Sequence, residues 1–256
     1  MLDAAALADL NALALIDETT AAALHFGIDR VDIEPKTVLF YNMGSSATQV
    51  SVVKYHSHEI KESKFGDKMK TVGAFEVLGK GWDATLGGDA FDALIVDFMV
   101  EEFNTILNSK LSGGEKKDVR NNIKAMVKLR IQANKAKQVL SANNDFPIFI
   151  DGLMNDVSYQ GHLNRAKFEE LCHDLLNVAT EPINAALKAA KVTIDDIDMI
   201  ELIGGGMRVP SVQTQISDVL KKDLGMHINS DESMALGAAF HGANVSTACR
   251  VFPCLI

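Results

Sequence analysis

Apolar and polar positions along the chain alternate between two periods, and the switches between them divide it into elements. Thr37 to Tyr41 (TVLFY) is rich in β-branched and aromatic residues, and Gln49 to Tyr55 (QVSVVKY) alternates apolar with polar. With NMGSSAT between them, the two runs predict a β-hairpin with a glycine- and serine-bearing tip. TVGAFEVLG predicts a further strand, after a lysine- and acid-rich stretch at 56–70 that reads as a solvated connection. FPIFIDG and VSYQGHL predict another strand pair, turned at Asn155 and Asp156. In MIELIGGGMRVP, Met199, Ile200, Leu202 and Ile203 form a short apolar run, followed by three glycines and then Pro210. That order predicts a buried strand, a tight loop and a helix with proline in its first turn.

Helical spacing accounts for most of the remainder. Residues 7–26 have helical apolar spacing but carry Asp17, Glu18, Thr19 and Thr20, which favour caps and turns, so the helix is expected to begin near Thr19 and end at Gly27. Leu86, Gly87 and Gly88 form a turn before a helix from about Asp89, with Phe91, Leu94, Ile95 and Phe98 on one face. The Gly- and Lys-rich stretch 109–117 is the best internal hinge. A long helix follows from about Asp118 to Leu140, with Met126, Leu129, Ala133, Ala136 and Leu140 as its apolar stripe and Lys135 and Lys137 on a face expected to be solvated. Asn164 reads as an N-cap for a helix presenting Phe168, Leu171, Cys172, Leu175 and Leu176. Another helix spans Glu181 to Ala190, and Asp231 opens a last one whose small residues (MALGAAFHGA) permit close packing.

With 256 residues and 47% hydrophobic content, the chain can bury a substantial core as one large domain or two small ones. Its net charge of −9 and lack of basic clusters with interleaved aromatics argue against nucleic acid as a partner. No apolar run approaches the roughly 18 residues that span a bilayer, and no basic n-region precedes the apolar start, so no membrane segment or secretory signal is expected in this sequence. Cys172, Cys249 and Cys254 lack metal-ligand spacing, which predicts neither a zinc site nor a required disulfide.

Two glycine loops carry the candidate chemistry. In an open α/β sheet, ligands sit beyond the carboxyl ends of the strands, where backbone without Cβ atoms approaches them closely. Gly204, Gly205 and Gly206 are thus a candidate ligand floor, with Arg208 available to stack on a flat ring or pair with a phosphate. The alternative is a plain strand-to-helix turn in which Arg208 pairs with an acid such as Asp231. The NMGSSAT tip likewise suits a phosphate, with Ser45 and Ser46 as hydroxyl donors, and also suits an ordinary hairpin turn.

Taken in order, NMGSSATQVSVV, DATLGGDAFD, KAKQVLSAN, NRAKFEELCHDLL, LIGGGMRVPSVQ and NSDESMALGAAF resemble the ATPase domain of the seventy-kilodalton heat-shock chaperones, from about Leu7 to Val251. KDVRNNIKAMVKLRIQANKAKQVLSAN and YNMGS are most similar to the large endoplasmic reticulum branch of that superfamily, the hypoxia up-regulated or glucose-regulated chaperones. The resemblance implies an α/β, actin-like (ribonuclease H-like) ATPase fold of two lobes with nucleotide between them. Residues 1–36 would be the end of lobe I, 37–252 lobe II, and 253–256 the start of an interdomain linker. Lobe I's own phosphate hairpin and its lysine are not within this sequence, nor are the peptide-binding domain and lid.

By the same resemblance, Gly44, Ser45 and Gly88 lie near the phosphates of ATP or ADP. Lys137, Gln138 and Ser141 meet the adenosine, Gly204, Gly205 and Arg208 bracket the adenine, and Asp231 sits nearby. Glu18 is expected on the side of a Mg2+ ion, although Thr19 follows it where the family carries a proline that relays nucleotide state. Asn42 and Gln49 stand where common members place aspartates, and Ala47 replaces a hydroxyl residue. An amide does not hold a magnesium hydration shell or activate water as a carboxylate does, so no catalytic residue is expected and hydrolysis is in doubt. The resemblance implies the ATP-binding part of a chaperone acting in protein folding, or in nucleotide exchange or holding, on unfolded clients and with other heat-shock chaperones. It places the chain in the endoplasmic reticulum lumen, or in the cytoplasm if Met1 is the true start. The competing expectations are an active ATPase completed by further chain and a truncated, non-binding protein-interaction fragment.

Overall fold

The computed structural model describes residues 1–28, 34–61, 69–111 and 116–246. The proposed linker at 253–256, Cys249, Cys254 and the middle of the 109–117 hinge lie outside them. Helix α1 (Leu2–Leu7) buries none of its residues, and α2 (Glu18–Gly27) follows a stretch at 11–17 without regular structure. Gly27 is the last helical residue of α2 and not a left-handed cap.

The hairpin forms as expected from β1 (Lys36–Met43) and β2 (Thr48–Lys61), and β3 (Met69–Asp83) pairs with β2. The stretch at 56–70 is therefore not a mere connection. Its two ends extend the ladder, with His56 opposite Ala74 and Glu59 opposite Thr71. A strand whose side chains face water on one side is as polar as a loop, so composition alone does not distinguish the two.

Helix α3 (Gly88–Lys110) leads to a 3-10 turn (Val119–Asn121) and then α4 (Ile123–Leu140). The expected single helix from Asp118 is interrupted because Asp118 and Asn122 each accept a backbone N–H, from Arg120 and Ala125, in the manner of caps. The β4 (Asp145–Met154) and β5 (Val157–Asn164) hairpin turns through Asn155 and Asp156, both at positive φ, a backbone that these residue types tolerate. Asn164 caps α5 (Arg165–Leu171) through the Lys167 N–H, but the expected helix breaks at Cys172 and resumes as α6 (His173–Val178). Next come α7 (Glu181–Ala190), β6 (Met199–Ile203), a 3-10 turn (Gly205–Arg208), α8 (Pro210–Leu220) and β7 (Leu224–Gly225). The last helix, α9 (Ser233–Val245), begins two residues after the expected Asp231.

Among the described residues, one sheet has the order β3-β2-β1-β6-β7, antiparallel from β3 to β1 and parallel from β1 to β7. The period of two along β1 sorts its side chains between two cores. Leu39, Tyr41 and Met43 join α3, α4 and the β4-β5 hairpin on one face. Val38 and Phe40 meet Ala22, Ala23, Leu24 and Phe26 of α2 on the other, where α9 also packs. A Cβ at Gly237 would overlap the carbonyl oxygen of Ala21, so the small residues of α9 do permit the close approach that the sequence suggests. This two-sided burial anchors the parallel pair β1 and β6, whose carboxyl ends, Met43 and Ile203, open onto the same edge.

Candidate nucleotide site

The hairpin tip closes on itself through Gly44 N–H to Ala47 O (2.9 Å). It then receives the start of α3: Gly88 N–H donates to Gly44 O (3.0 Å) and Asp89 N–H to Ser45 O (2.7 Å). Two of the amides a helix leaves unpaired at its N-terminus are thus used to hold one glycine turn against another. Lys137 ties in α4, donating to Gly88 O at 2.8 Å and pairing with Asp92 at 2.9 Å. Lys137 does not lie on a solvated face, as its helix position suggested; the pair is largely buried, and Asn134 donates to the other Asp92 oxygen at 2.9 Å. Gln138 donates to Asn134 Oδ1 (2.7 Å), and the Ser141 hydroxyl bonds the Gln138 carbonyl (2.7 Å).

On the opposite side, Gly204 turns the chain out of β6 at φ +85°, a region glycine enters without cost. A side chain there would also press on Asn42 Oδ1, at 2.6 Å from a Cβ. A Cβ on Gly205 would meet nothing within 4 Å, so its backbone faces open space. Arg208 pairs with Asp231 at 2.7 Å, with both side chains well exposed.

These elements enclose a cleft of about 430 Å³, lined by Gly44, Ser45, Gly88, Asn134, Lys137, Gln138, Ser141, Gly205, Gly206, Arg208 and Val209. Eight of the ten expected contacts line it. Gly204 and Asp231 are not among the lining residues, although Asp231 pairs with Arg208, which is. Gly206, expected in the ligand floor, also lines the cleft, and Asn134 and Val209 are additions. Asn134 was readable in the sequence as the start of a polar i, i+3, i+4, i+7 stripe with Lys137, Gln138 and Ser141.

Asn42 and Gln49 lie outside that lining. They are paired across β1 and β2 on the face toward α2, where Asn42 donates to Glu18 at 2.9 Å. Gln49 lines a separate cavity of about 380 Å³ with Asp17, Lys80 and Trp82 among its walls. Lys80 hydrogen-bonds Asp17 and holds its carboxyl below the ordinary value.

The residues fit the two expected ligands unequally. The cleft has the volume of a small-molecule site, a glycine floor open to a flat ring, and amine, amide and hydroxyl groups along α4. For a magnesium ion, no group of three or more ligating side chains occurs among the described residues, and the Glu18 carboxylate already accepts the Asn42 amide.

The family model described as Hsp70 protein matches residues 1–256. This chain belongs to the Hsp70 family. Its sheet and flanking helices are accordingly those of the Hsp70 ATPase domain, an actin-like fold. Hypoxia up-regulated protein 1 of Xenopus tropicalis is 38% identical over 260 residues, which cover 100% of this chain and 39% of that protein. Heat shock 70 kDa protein 17 of Arabidopsis thaliana is 38% identical over 253 residues, covering 98% of the chain and 28% of its own length. The human hypoxia up-regulated protein 1 is 37% identical over 260 residues, covering 100% and 25%. The chain thus spans well under half the length of these Hsp70 relatives.

Proposed function

We propose that this chain is the adenosine-holding part of an Hsp70-type chaperone, in which nucleotide occupancy matters more than turnover. The observation that carries this reading is convergence: the hairpin tip, the start of α3, the polar stripe of α4 and the loop after β6 come from distant stretches of sequence and line one cleft. In this reading the adenine lies over Gly205 and Gly206 beneath Arg208, the α4 stripe meets the ribose, and the phosphates point toward Gly44, Ser45 and Gly88. Residues 37–252 would form lobe II and 1–36 the end of lobe I. Asn42 supports the low expectation for hydrolysis, since an aspartate there would face Glu18 as a second carboxylate and call for a cation between them. The amide removes that demand.

The resemblance of YNMGS and of the α4 region to the large endoplasmic reticulum branch supports that compartment, with unfolded clients and other heat-shock chaperones as partners of the longer protein. One observation favours a protein-contact role as a second reading: Leu2, Leu7, Leu10, Leu13 and Leu15 are all more than half exposed along the first stretch of chain. Amide NMR during titration with adenosine and ADP separates the two. Nucleotide holding requires saturable shifts at Gly44, Gly88, Gly205 and Gly206. Shifts confined to the leucine-rich stretch, or none at the glycines, would favour the contact role.

A further inference from the structure

Glu201 interrupts the apolar run of β6 and is completely buried on the face shared with Met199 and Ile203. An ionised carboxylate in that position needs partners for both oxygens. One residue supplies them: the His227 backbone N–H donates to Oε2 at 3.0 Å, and its Nδ1 bonds Oε1. Gly225, opposite Glu201 in the β6-β7 register, makes the room, because a Cβ there would lie 2.6 Å from Glu201 Oε1 and 2.7 Å from His227 Nδ1. The three residues are mutually fitted, and the nucleotide reading uses none of them.

The position of this pair indicates its role. After His227 the chain forms a compact turn held by its own groups. Asp231 N–H bonds Asn229 Oδ1 (2.9 Å), the Asn229 amide bonds Glu232 (3.0 Å), and Ser233 N–H bonds Asn229 O (2.9 Å). The turn carries Asp231, the partner of Arg208. Glu201 itself lies three positions before Gly204, on the strand that delivers the glycine floor. One contact, buried at its carboxylate and half exposed at its imidazole, therefore ties the floor strand to the turn that aims Arg208.

We infer that Glu201 and His227 are positioning residues for the purine end of the cleft, clamping the 227–231 turn to β6 so that Asp231 holds the Arg208 guanidinium over Gly205 and Gly206. The inference rests on the nucleotide reading for its effect on ligand, but the clamp itself can be measured without one.

The test uses the whole chain with His227→Ala, and with His227→Asn, whose amide nitrogen takes the place of Nδ1 and keeps a donor for Glu201. Without ligand, His227→Ala is expected to raise amide hydrogen exchange about tenfold or more at 205–209 and 227–231, and His227→Asn to restore it. With ligand, His227→Ala is expected to weaken ADP about twofold to fivefold, the range open to an exposed ion pair, while inorganic pyrophosphate binds as before. Combining His227→Ala with Asp231→Ala is expected to add nothing further. If leaving Glu201 unpaired unfolds the chain, Glu201→Leu with His227→Ala removes the buried charge, and exchange at 205–209 must still rise relative to β1. Unchanged exchange at 205–209, failure of asparagine to restore it, or equal loss of ADP and pyrophosphate would overturn the inference. Absence of ADP binding by the unaltered chain would instead defeat the nucleotide reading and leave the exchange comparison to decide the clamp.

Discussion

Replacing Lys137 by methionine separates a polar residue built into the site from one on a solvated helix face. The ammonium bridges Gly88 O and Asp92, and the two charged side chains retain only 14% and 16% of their exposure. Methionine preserves much of the stem's volume but leaves Asp92 with Asn134 alone. Removing one partner of a fully buried pair costs about 3–5 kcal/mol; with residual exposure and the Asn134 bond remaining, about 2–3 kcal/mol is a fair discount. For a chain of this size that corresponds to a fall in Tm of roughly 5–10 °C. Adding Asp92→Leu removes the stranded charge and should recover the loss to within about 1 kcal/mol, a coupling that a double-mutant cycle measures directly. The assay is thermal unfolding of the four proteins followed by circular dichroism. A Lys137→Met protein within about 0.5 kcal/mol of the original, as for an exposed pair, would refute the reasoning.

Gly237→Ala sets helix propensity, which favours alanine by about 1 kcal/mol, against overlap with the Ala21 carbonyl, which costs about 1–3 kcal/mol. The balance predicts a lower Tm, and a raised one would contradict the packing of α9 on α2. Asn42→Asp places a carboxylate against Glu18, so Tm should fall in chelator and recover in millimolar Mg2+, with no phosphate release from ATP even when Gln49→Asp is added. A magnesium-independent Tm, or steady phosphate release, would count against the reading of that corner. Asp17, Asp83 and Asp118 are held below their usual value, chiefly by Lys80, by the Thr85 backbone N–H and by the Arg120 backbone N–H respectively. Depressed carboxylates contribute stability that is present above the unfolded value of 3.8 and lost as pH falls through the folded ones. Urea midpoints should therefore decline on acidification below about pH 4, and a rise there would be the wrong sign.

The strands and glycine loops were legible because apolar runs and glycine clusters are local signals. The α4 stripe shows where local reading ends: periodicity placed Lys137 opposite the apolar face, yet Asp92, 45 positions away in sequence, buries it. The break at Cys172 is another case, since an unbroken apolar spacing does not reveal where neighbouring helices end one segment and start the next. Six motifs in one order were enough to identify the family. They do not report that Asn42 and Gln49 lie on the α2 face and outside the lining of the cleft, which follows only from the register of β1 and β2. Glu201 had no pattern to announce it, since a single acid in an apolar strand is intelligible only once His227 is seen beside it.

Calorimetric titration with magnesium ADP, performed on the chain and on Arg208→Ala, tests nucleotide holding most directly. On the reading of residues 37–252 as lobe II, saturable one-to-one binding is expected in the high-micromolar to millimolar range, about −4 to −5.5 kcal/mol. Arg208→Ala should weaken it roughly twofold to thirtyfold, the worth of a stacked guanidinium, while the ligand-free Tm stays nearly unchanged because the Asp231 pair is exposed. No saturable heat at millimolar ADP, or an Arg208→Ala protein that is destabilised yet binds ADP as before, would contradict the account.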